Sequence, residues 1–350
     1  MTTLRELARH LGLSPATVSR ALNGFPEVGE STRARVLAAS EKFNYSPNQT
    51  AKRLATGKSG MVGIVFRSSP GHGMDPHFVD FLASLSEALA DSEIDLVVHI
   101  SSPVDQLRHY RRFINDGIVD GMIVSAPEPD DARVALMESR NVAFVVHGRG
   151  SNVESYAYYD IDNDGAFASS TTLLLQLGHR RVALVNGPEK LGFSRQRRAA
   201  FERVMGQHGL VIPRRFQSHD EMTEQTAYDR AAHLLSEVPA QRPTAFVCSS
   251  TLQALGVMRA AAEAGLAVGP DLSIISHDDV LPHLRSENFA PGLTVTRAPI
   301  RNAAPVLARM IMARMDKVPP ERLQRIDKVD LIVRASTAAV PKWGEDPWQQ

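Results

Sequence analysis

The chain holds a single cysteine, Cys248, in 350 residues. One thiol excludes an intramolecular disulfide and any thiolate-rich metal cluster, and it fits a reducing compartment. No run approaches the roughly 18 consecutive apolar residues of a membrane helix, and the polar N-terminus has no apolar signal core. Net charge is missing as well: 39 Lys+Arg face 39 Asp+Glu, so nothing global seeks a membrane or a polyanion. Both tryptophans, Trp343 and Trp348, lie in the tail, so an aromatic platform elsewhere must be Phe or Tyr. The 12 histidines are scattered without metal-ligand spacing, so no metal site is expected. Catalytic and cofactor motifs fail too. There is no Gly-x-Ser-x-Gly and no Gly-x-Gly-x-x-Gly after a strand. The run Gly57-Lys58-Ser59 has Lys52 where a phosphate loop needs its first glycine. No cofactor and no catalytic residue are expected.

What is present begins with a local excess of positive charge. Residues 1–60 carry nine cations (Arg5, Arg9, Arg20, Arg33, Arg35, Lys42, Lys52, Arg53 and Lys58) against four anions (Glu6, Glu27, Glu30 and Glu41). In a neutral chain, that asymmetry marks a nucleic-acid-contacting unit. Leu4, Leu7, Ala8 and Leu11 repeat at helical spacing, and Gly12 breaks the repeat. Ser14 then stands as an N-cap before Pro15, a first-turn position where the missing N–H costs nothing. Two short helices across a glycine turn make a helix-turn-helix. A third helix, capped near Ser31, is expected to turn Val36, Leu37, Ala39 and Phe43 inward and to close a core with Leu4, Leu7, Leu11, Val18 and Leu22. The exposed face of the second helix is small and hydroxylic (Pro15, Ala16, Thr17, Ser19) with Arg20 beside it, which suits a major groove. Further on, Leu54 is an apolar side chain in a basic segment, placed to wedge into a base step while nearby cations hold phosphates.

These residues carry a resemblance. Leu13-Ser14-Pro15-Ala16-Thr17-Val18-Ser19-Arg20-Ala21-Leu22-Asn23, Thr32-Arg33 with Val36, Asn44-Tyr45-Ser46-Pro47-Asn48, Ala51 and Leu54-Ala55 resemble the head of the LacI/GalR family of transcription regulators. The resemblance implies a recognition helix in the major groove, with Pro15 and Ala16 choosing the operator. Thr3, Ser14, Thr17, Ser19, Arg20 and Asn23 would lie around them. It further implies a hinge helix from Pro47 over residues 48–56, with Asn48, Ala51, Leu54 and Ala55 on DNA and Leu54 wedged in the minor groove.

After the linker at residues 57–60, short apolar runs alternate with amphipathic helices. Strands are expected at 61–66, 96–100, 121–124, 143–146, 181–185, 245–248, 272–275 and 330–333. Helices are expected at 78–90, 104–115, 165–176, 194–208, 252–264 and 302–315. Two successive sets of this kind predict an α/β core of two open parallel sheets flanked by helices, with a ligand cleft between the carboxyl ends of their strands. The expected domains are a head at 1–47, hinge and linker at 48–60, a two-lobed core at 61–340 and a tail at 341–350. The first lobe takes 61–161 and 291–324, the second 162–290 and 325–340.

The core also resembles the LacI/GalR family, whose core is similar to a periplasmic sugar-binding protein. The signposts are residues 177–183 (Leu-Gly-His-Arg-Arg-Val-Ala), Asn186-Gly187-Pro188, Ala254-Leu255-Gly256, Asp278-Asp279, Leu293-Thr294 and Val333-Arg334. The resemblance implies that Asp278 accepts effector hydroxyls and that Arg195 clamps the effector, with Arg197 and Arg198 structural or solvated. It places Met222 where the family has an aromatic, Ser250 as a lesser ligand and Asp162-Asn163 in a structural crossover. A departure stands before the acidic pair: Ser276-His277 replaces the usual Gly-Tyr. Asp75, His77 and Phe78, with His147-Gly148-Arg149 after a strand, are the first lobe's candidates, and Phe78 and Phe193 are the expected platform for a sugar's C–H face. Residues 69–72, 147–149, 248–251 and 276–279 are most similar to α-glucoside utilisation repressors within the family.

The expectation is a cytoplasmic homodimeric repressor that binds double-stranded operator DNA and releases it on binding a mono- or disaccharide, with no membrane partner. A two-fold operator needs two heads, and the tail carries no apolar heptad for a tetramer. A corepressed regulator of a non-sugar metabolite shares every one of these features. A solute-binding protein would need an export signal and no basic head, and a sugar-modifying enzyme would need paired catalytic groups.

Overall fold

Three helices build the head in the computed structural model, which describes residues 2–22, 24–45, 57–67, 76–102 and 105–342. Helix α1 (Leu4–Leu11) opens on a capping box in which Thr3 and Glu6 satisfy each other's backbone N–H groups. It ends at Gly12, whose φ of +65° is the left-handed conformation that glycine adopts without steric cost. Ser14 caps α2 (Pro15–Leu22), as its position before Pro15 predicts, by accepting from the Thr17 N–H at 3.0 Å. Helix α3 (Glu30–Lys42) closes the core of Leu7, Ala8, Val18, Ala21, Val28, Val36 and Ala39. Two expectations shift here. Gly29, not Ser31, is the N-cap, and Leu37 is 46% exposed. Val36 and Ala39 already hold the inward stripe, and Leu37 lies about 100° round the helix from Val36.

Chain contacts divide the molecule into two units, Met1–Gly60 and Met61–Gln350. The second unit opens with β1 (Met61–Arg67), α4 (Pro76–Ala90), β2 (Asp95–Ser101), α5 (Gln106–Asn115), β3 (Gly121–Ser125), α6 (Ala132–Ser139), β4 (Ala143–His147) and β5 (Ala157–Ile161). It continues through α7 (Asn163–Gln176), β6 (Val182–Asn186), α8 (Gly192–Gln207), β7 (Gln217–His219), α9 (Glu224–Leu235), β8 (Ala245–Cys248), α10 (Thr251–Glu263), β9 (Ser273–Asp278) and β10 (Thr294–Arg297). It finishes with α11 (Ala303–Met315), β11 (Gln324–Asp327) and β12 (Asp330–Ile332). Two six-stranded sheets result, ordered β11-β5-β4-β3-β1-β2 and β12-β10-β9-β8-β6-β7. All pairings are parallel except β10 with β12.

The side-chain period of two sorts each strand between faces. Val62, Ile64, Ile123 and Val145 pack under α4 and α11, while Val65, Met122, Val124 and Phe144 pack under α5 and α6. The second sheet divides likewise, with Ala183, Val185, Phe246 and Ile274 under α9 and α10 and Val182, Leu184, Val247 and Ile275 under α7 and α8. Helices on both faces are what near-continuous apolar parallel strands require. No helix among the described residues is long and apolar enough to cross a membrane.

The expected lobe boundaries move by one strand each. Thr294–Arg297 pairs with β9, so the second lobe continues to Arg297 instead of ending at 290. Gln324–Asp327 pairs with β5, so the first lobe keeps the chain to Asp327 and the second resumes with β12. Both strands have four residues, and Gln-Arg-Ile-Asp shows no apolar run to assign it to either sheet.

Candidate functional site

On α2 the side chains turned from the head's core are those the helix-turn-helix pattern put there. Ser14, Pro15, Ala16 and Arg20 are exposed, Thr17 and Ser19 are half-buried, and Val18 and Ala21 are buried. Short side chains let the helix axis approach a groove, and Arg20 is long enough to reach past them to base edges or phosphates. Thr3 is exposed, but its hydroxyl is spent on the α1 cap. Asn23, Asn48, Ala51, Leu54 and Ala55, with the expected hinge helix, lie outside the described residues.

The second unit encloses a cavity of about 220 Å3 at the carboxyl ends of both sets of strands, the position at which open α/β sheets bind ligands. From the first lobe come Phe66, His77, Phe78, Phe81, His147 and Tyr159. From the second come Asn163, Phe193, Arg197, Met222 and Asp279. Phe78 stacks on Phe66 with centroids 3.4 Å apart, so the first lobe presents an aromatic wall. His147 stacks on Phe81 at 4.8 Å, and burial pushes its imidazole down to about 4, so it is neutral at physiological pH.

Polar groups join the lobes beneath that wall. Arg149 Nε donates to Asp160 at 2.8 Å, and Asn163 Nδ2 donates to the other oxygen of Asp160 at 3.1 Å. Arg197 Nε then donates to Asn163 Oδ1 at 2.8 Å, and its Nη1 to the Ser249 carbonyl at 2.9 Å. The Arg197 guanidinium lies between the rings of Phe167 and Phe193. Burial lowers its pKa to about 10 against the pull of Asp279 and Asp160, so it stays charged. A second join closes the far side. The Gly192 N–H donates to the Pro127 carbonyl, and a Cβ at Gly192 would stand 2.0 Å from the Arg149 carbonyl oxygen. Only glycine permits that approach.

Of the expected effector residues, the structure brings Phe78, Phe193 and Met222 to the cavity. Asp75 lies outside the described residues. Four others are placed elsewhere. Arg195 is exposed, with Nε donating to the Glu189 carbonyl, and the arginine in the cavity is Arg197. Helical spacing carries the signal: Phe193 and Arg197 are four apart and share a face, whereas Arg195 is two away. Asp278 is fully buried and accepts from Val280 N–H at 2.8 Å and Ser286 Oγ at 2.6 Å, closing its own loop. The next carboxylate, Asp279, one residue past the end of β9, turns the other way, to the cavity and to within 3.4 Å of His277 Nε2. Arg149 supports Asp160 from behind the lining. Ser250 is buried as the N-cap of α10, accepting from Gln253 N–H. His77, a first-lobe candidate, and Asn163, expected to be structural, also line the cavity, together with Asp160, which has no sequence motif of its own. Among the described residues, no cluster of His, Cys, Asp or Glu is arranged to hold a metal ion.

A small basic helical head, followed by two lobes around a cleft, defines a ligand-responsive DNA-binding regulator. The comparisons agree. Residues 3–48 match the model for bacterial regulatory proteins of the lacI family, and residues 171–337 match the periplasmic binding protein-like domain. The HTH-type transcriptional regulator AglR of Rhizobium meliloti is 42% identical over 97% of this chain and 95% of its own. The HTH-type transcriptional regulator RafR of Escherichia coli is 30% identical over 79% of this chain and 81% of its own. In fold, the lac repressor dimer bound to operator and the anti-inducer ONPF matches with a TM-score of 0.82 at 24% identity, covering 97% of this chain and 99% of that one. The chain belongs to the LacI family of transcription regulators.

Proposed function

We propose that this regulator is a cytoplasmic homodimeric repressor of a carbohydrate-utilisation operon, binding a palindromic operator and released by a small sugar, an α-glucoside in its finest reading. The observation that carries this is the cavity's two-sided chemistry. An aromatic wall of Phe66, Phe78 and Phe81 stands across from Asp279, Arg197 and Asn163. A pyranose has the same division, with a C–H face that stacks and a hydroxyl edge that bonds. The solved complex of the regulator CelR with cellobiose, 23% identical with a TM-score of 0.71 over 96% of this chain, supports the fold of such a site.

The mechanism follows from both lobes lining one cavity. A ligand held by both fixes their angle, and only a ligand with different affinity for two lobe angles shifts their populations. A differential of about 2–3 kcal/mol changes operator occupancy roughly 30- to 150-fold. The test is a gel shift of the full chain on its own upstream DNA with a panel of mono- and disaccharides. Retardation relieved by one or more of the sugars is expected. Retardation strengthened by ligand would make it corepressed, and no retardation at low salt would overturn the reading.

A further inference from the structure

We propose that Asp279, held between His77 and His277, makes the cavity select a neutral hydroxyl-bearing ligand over its phosphorylated or carboxylated counterpart. This rests on the cavity being the effector site. His77 reaches Asp279 from the first lobe, Nε2 to Oδ2 at 3.3 Å, and His277 from the second, Nε2 to Oδ1 at 3.4 Å. Nδ1 of His277 lies 3.1 Å from the Thr296 hydroxyl, which serves as its donor when Nε2 carries the proton toward the carboxylate. One imidazole from each lobe therefore faces one carboxylate oxygen. A carboxylate has about four acceptor positions, so capacity remains on the cavity side for ligand hydroxyls. Burial works against charge here and pushes His277 down. Asp279 nevertheless remains ionised, held well below the usual carboxylate range by His277, His77 and Arg197.

The carboxylates of the cavity already have partners. Asp160 is satisfied by Arg149, the Ile161 N–H and Asn163. Arg197 faces Asp279, with Nε and Nη1 committed to Asn163 and Ser249. His147, the remaining titratable group near Asp279, is kept neutral by burial. No other lysine or arginine lines the cavity among the described residues. An ionised ligand would meet a fixed carboxylate whose neighbouring cation, Arg197, already faces it, in a cavity where water screens less than in bulk. A neutral ligand's hydroxyls donate to Asp279 at no such cost.

The test is calorimetric titration of the full chain with neutral and ionised pairs: maltose and maltose 6′-phosphate, trehalose and trehalose 6-phosphate, glucose and glucuronate. The expected result is that the neutral member of at least one pair binds and its ionised partner binds at least about 10-fold more weakly. Asp279→Asn is expected to weaken the neutral ligand and shrink that gap. If that variant does not fold, Asp279→Ser removes the charge without bulk and carries the same readout. Equal or tighter binding of the ionised member overturns the proposal alone, as does a gap unchanged in the variant. Silence from every pair overturns the effector reading, and the proposal with it.

Discussion

The two lobes share one strand order, apart from the antiparallel edge strand β12, and bring unequal chemistry to the cavity. The first contributes rings, with Phe66 stacked on Phe78 and Phe81 on His147. The second contributes Arg197, Asp279 and Asn163, with Phe193 and Met222 beside them, while one further carboxylate, Asp160, comes from the first. Rings tolerate a range of ligand positions, because stacking depends weakly on rotation. Charged groups locked by buried hydrogen bonds do not. The first lobe is therefore built to bind broadly and the second to choose, and a ligand must touch both to hold their angle.

Arg197→Ala should break that division most severely. It strips partners from Asn163 and the Ser249 carbonyl and removes the buried positive charge that acts on Asp279 and Asp160. A cost of about 3–5 kcal/mol is expected, because a buried charge loses its compensation. Thermal unfolding should shift down by several degrees at least, and no sugar should release operator DNA. Unchanged unfolding with normal release would remove the second lobe's claim to be the selective side.

Acid should act on both lobes with one sign. His147 in the first lobe and His179 in the second have imidazoles pushed down to about 4, chiefly by burial. His179 is buried among Thr244, Ser273 and the Ala338 carbonyl. Between about pH 6.5 and 4, the unfolded chain binds protons at these positions that the folded chain refuses. Stability present above about pH 6.5 is therefore lost as pH falls through that window. Unfolding midpoints measured from pH 7 to 4 should decline steadily. A flat profile to pH 4.5 would mean that these imidazoles are not buried as described.

How legible this was in the sequence depends on how far a residue's role extends along the chain. Ser14, Gly12 and the Leu4–Leu7–Leu11 stripe act within a turn or two, and cap and spacing revealed them. Eight strands were visible as apolar runs, seven of them parallel strands of the kind buried on both faces, the eighth the antiparallel edge strand β12. β5, β7, β10 and β11 were not, since polar or charged residues interrupt each of them and sheet membership is a long-range fact. The cavity was least legible. Asp160 carried no signal, the crossover pattern pointed to a structural Asn163, and the acidic pair offered two carboxylates whose opposite directions follow from one step at the end of β9.

Arg195→Ala should have the smallest effect, and it sharpens the comparison most cheaply. Arg195 and Arg197 share α8, a residue type and nearly a position. Family resemblance favoured the first, whereas the geometry favours the second. Arg195 is exposed and makes one hydrogen bond to a backbone carbonyl, which water can replace. Its removal should change stability by no more than about 0.5 kcal/mol, the usual range for surface substitutions. Ligand affinity should hold within roughly twofold, about 0.4 kcal/mol. Titration of this variant beside Arg197→Ala separates two accounts of the clamp. If Arg195→Ala loses sugar response while Arg197→Ala keeps it, the selective wall of the second lobe faces outward from α8, and the cavity between the lobes is not where the effector sits.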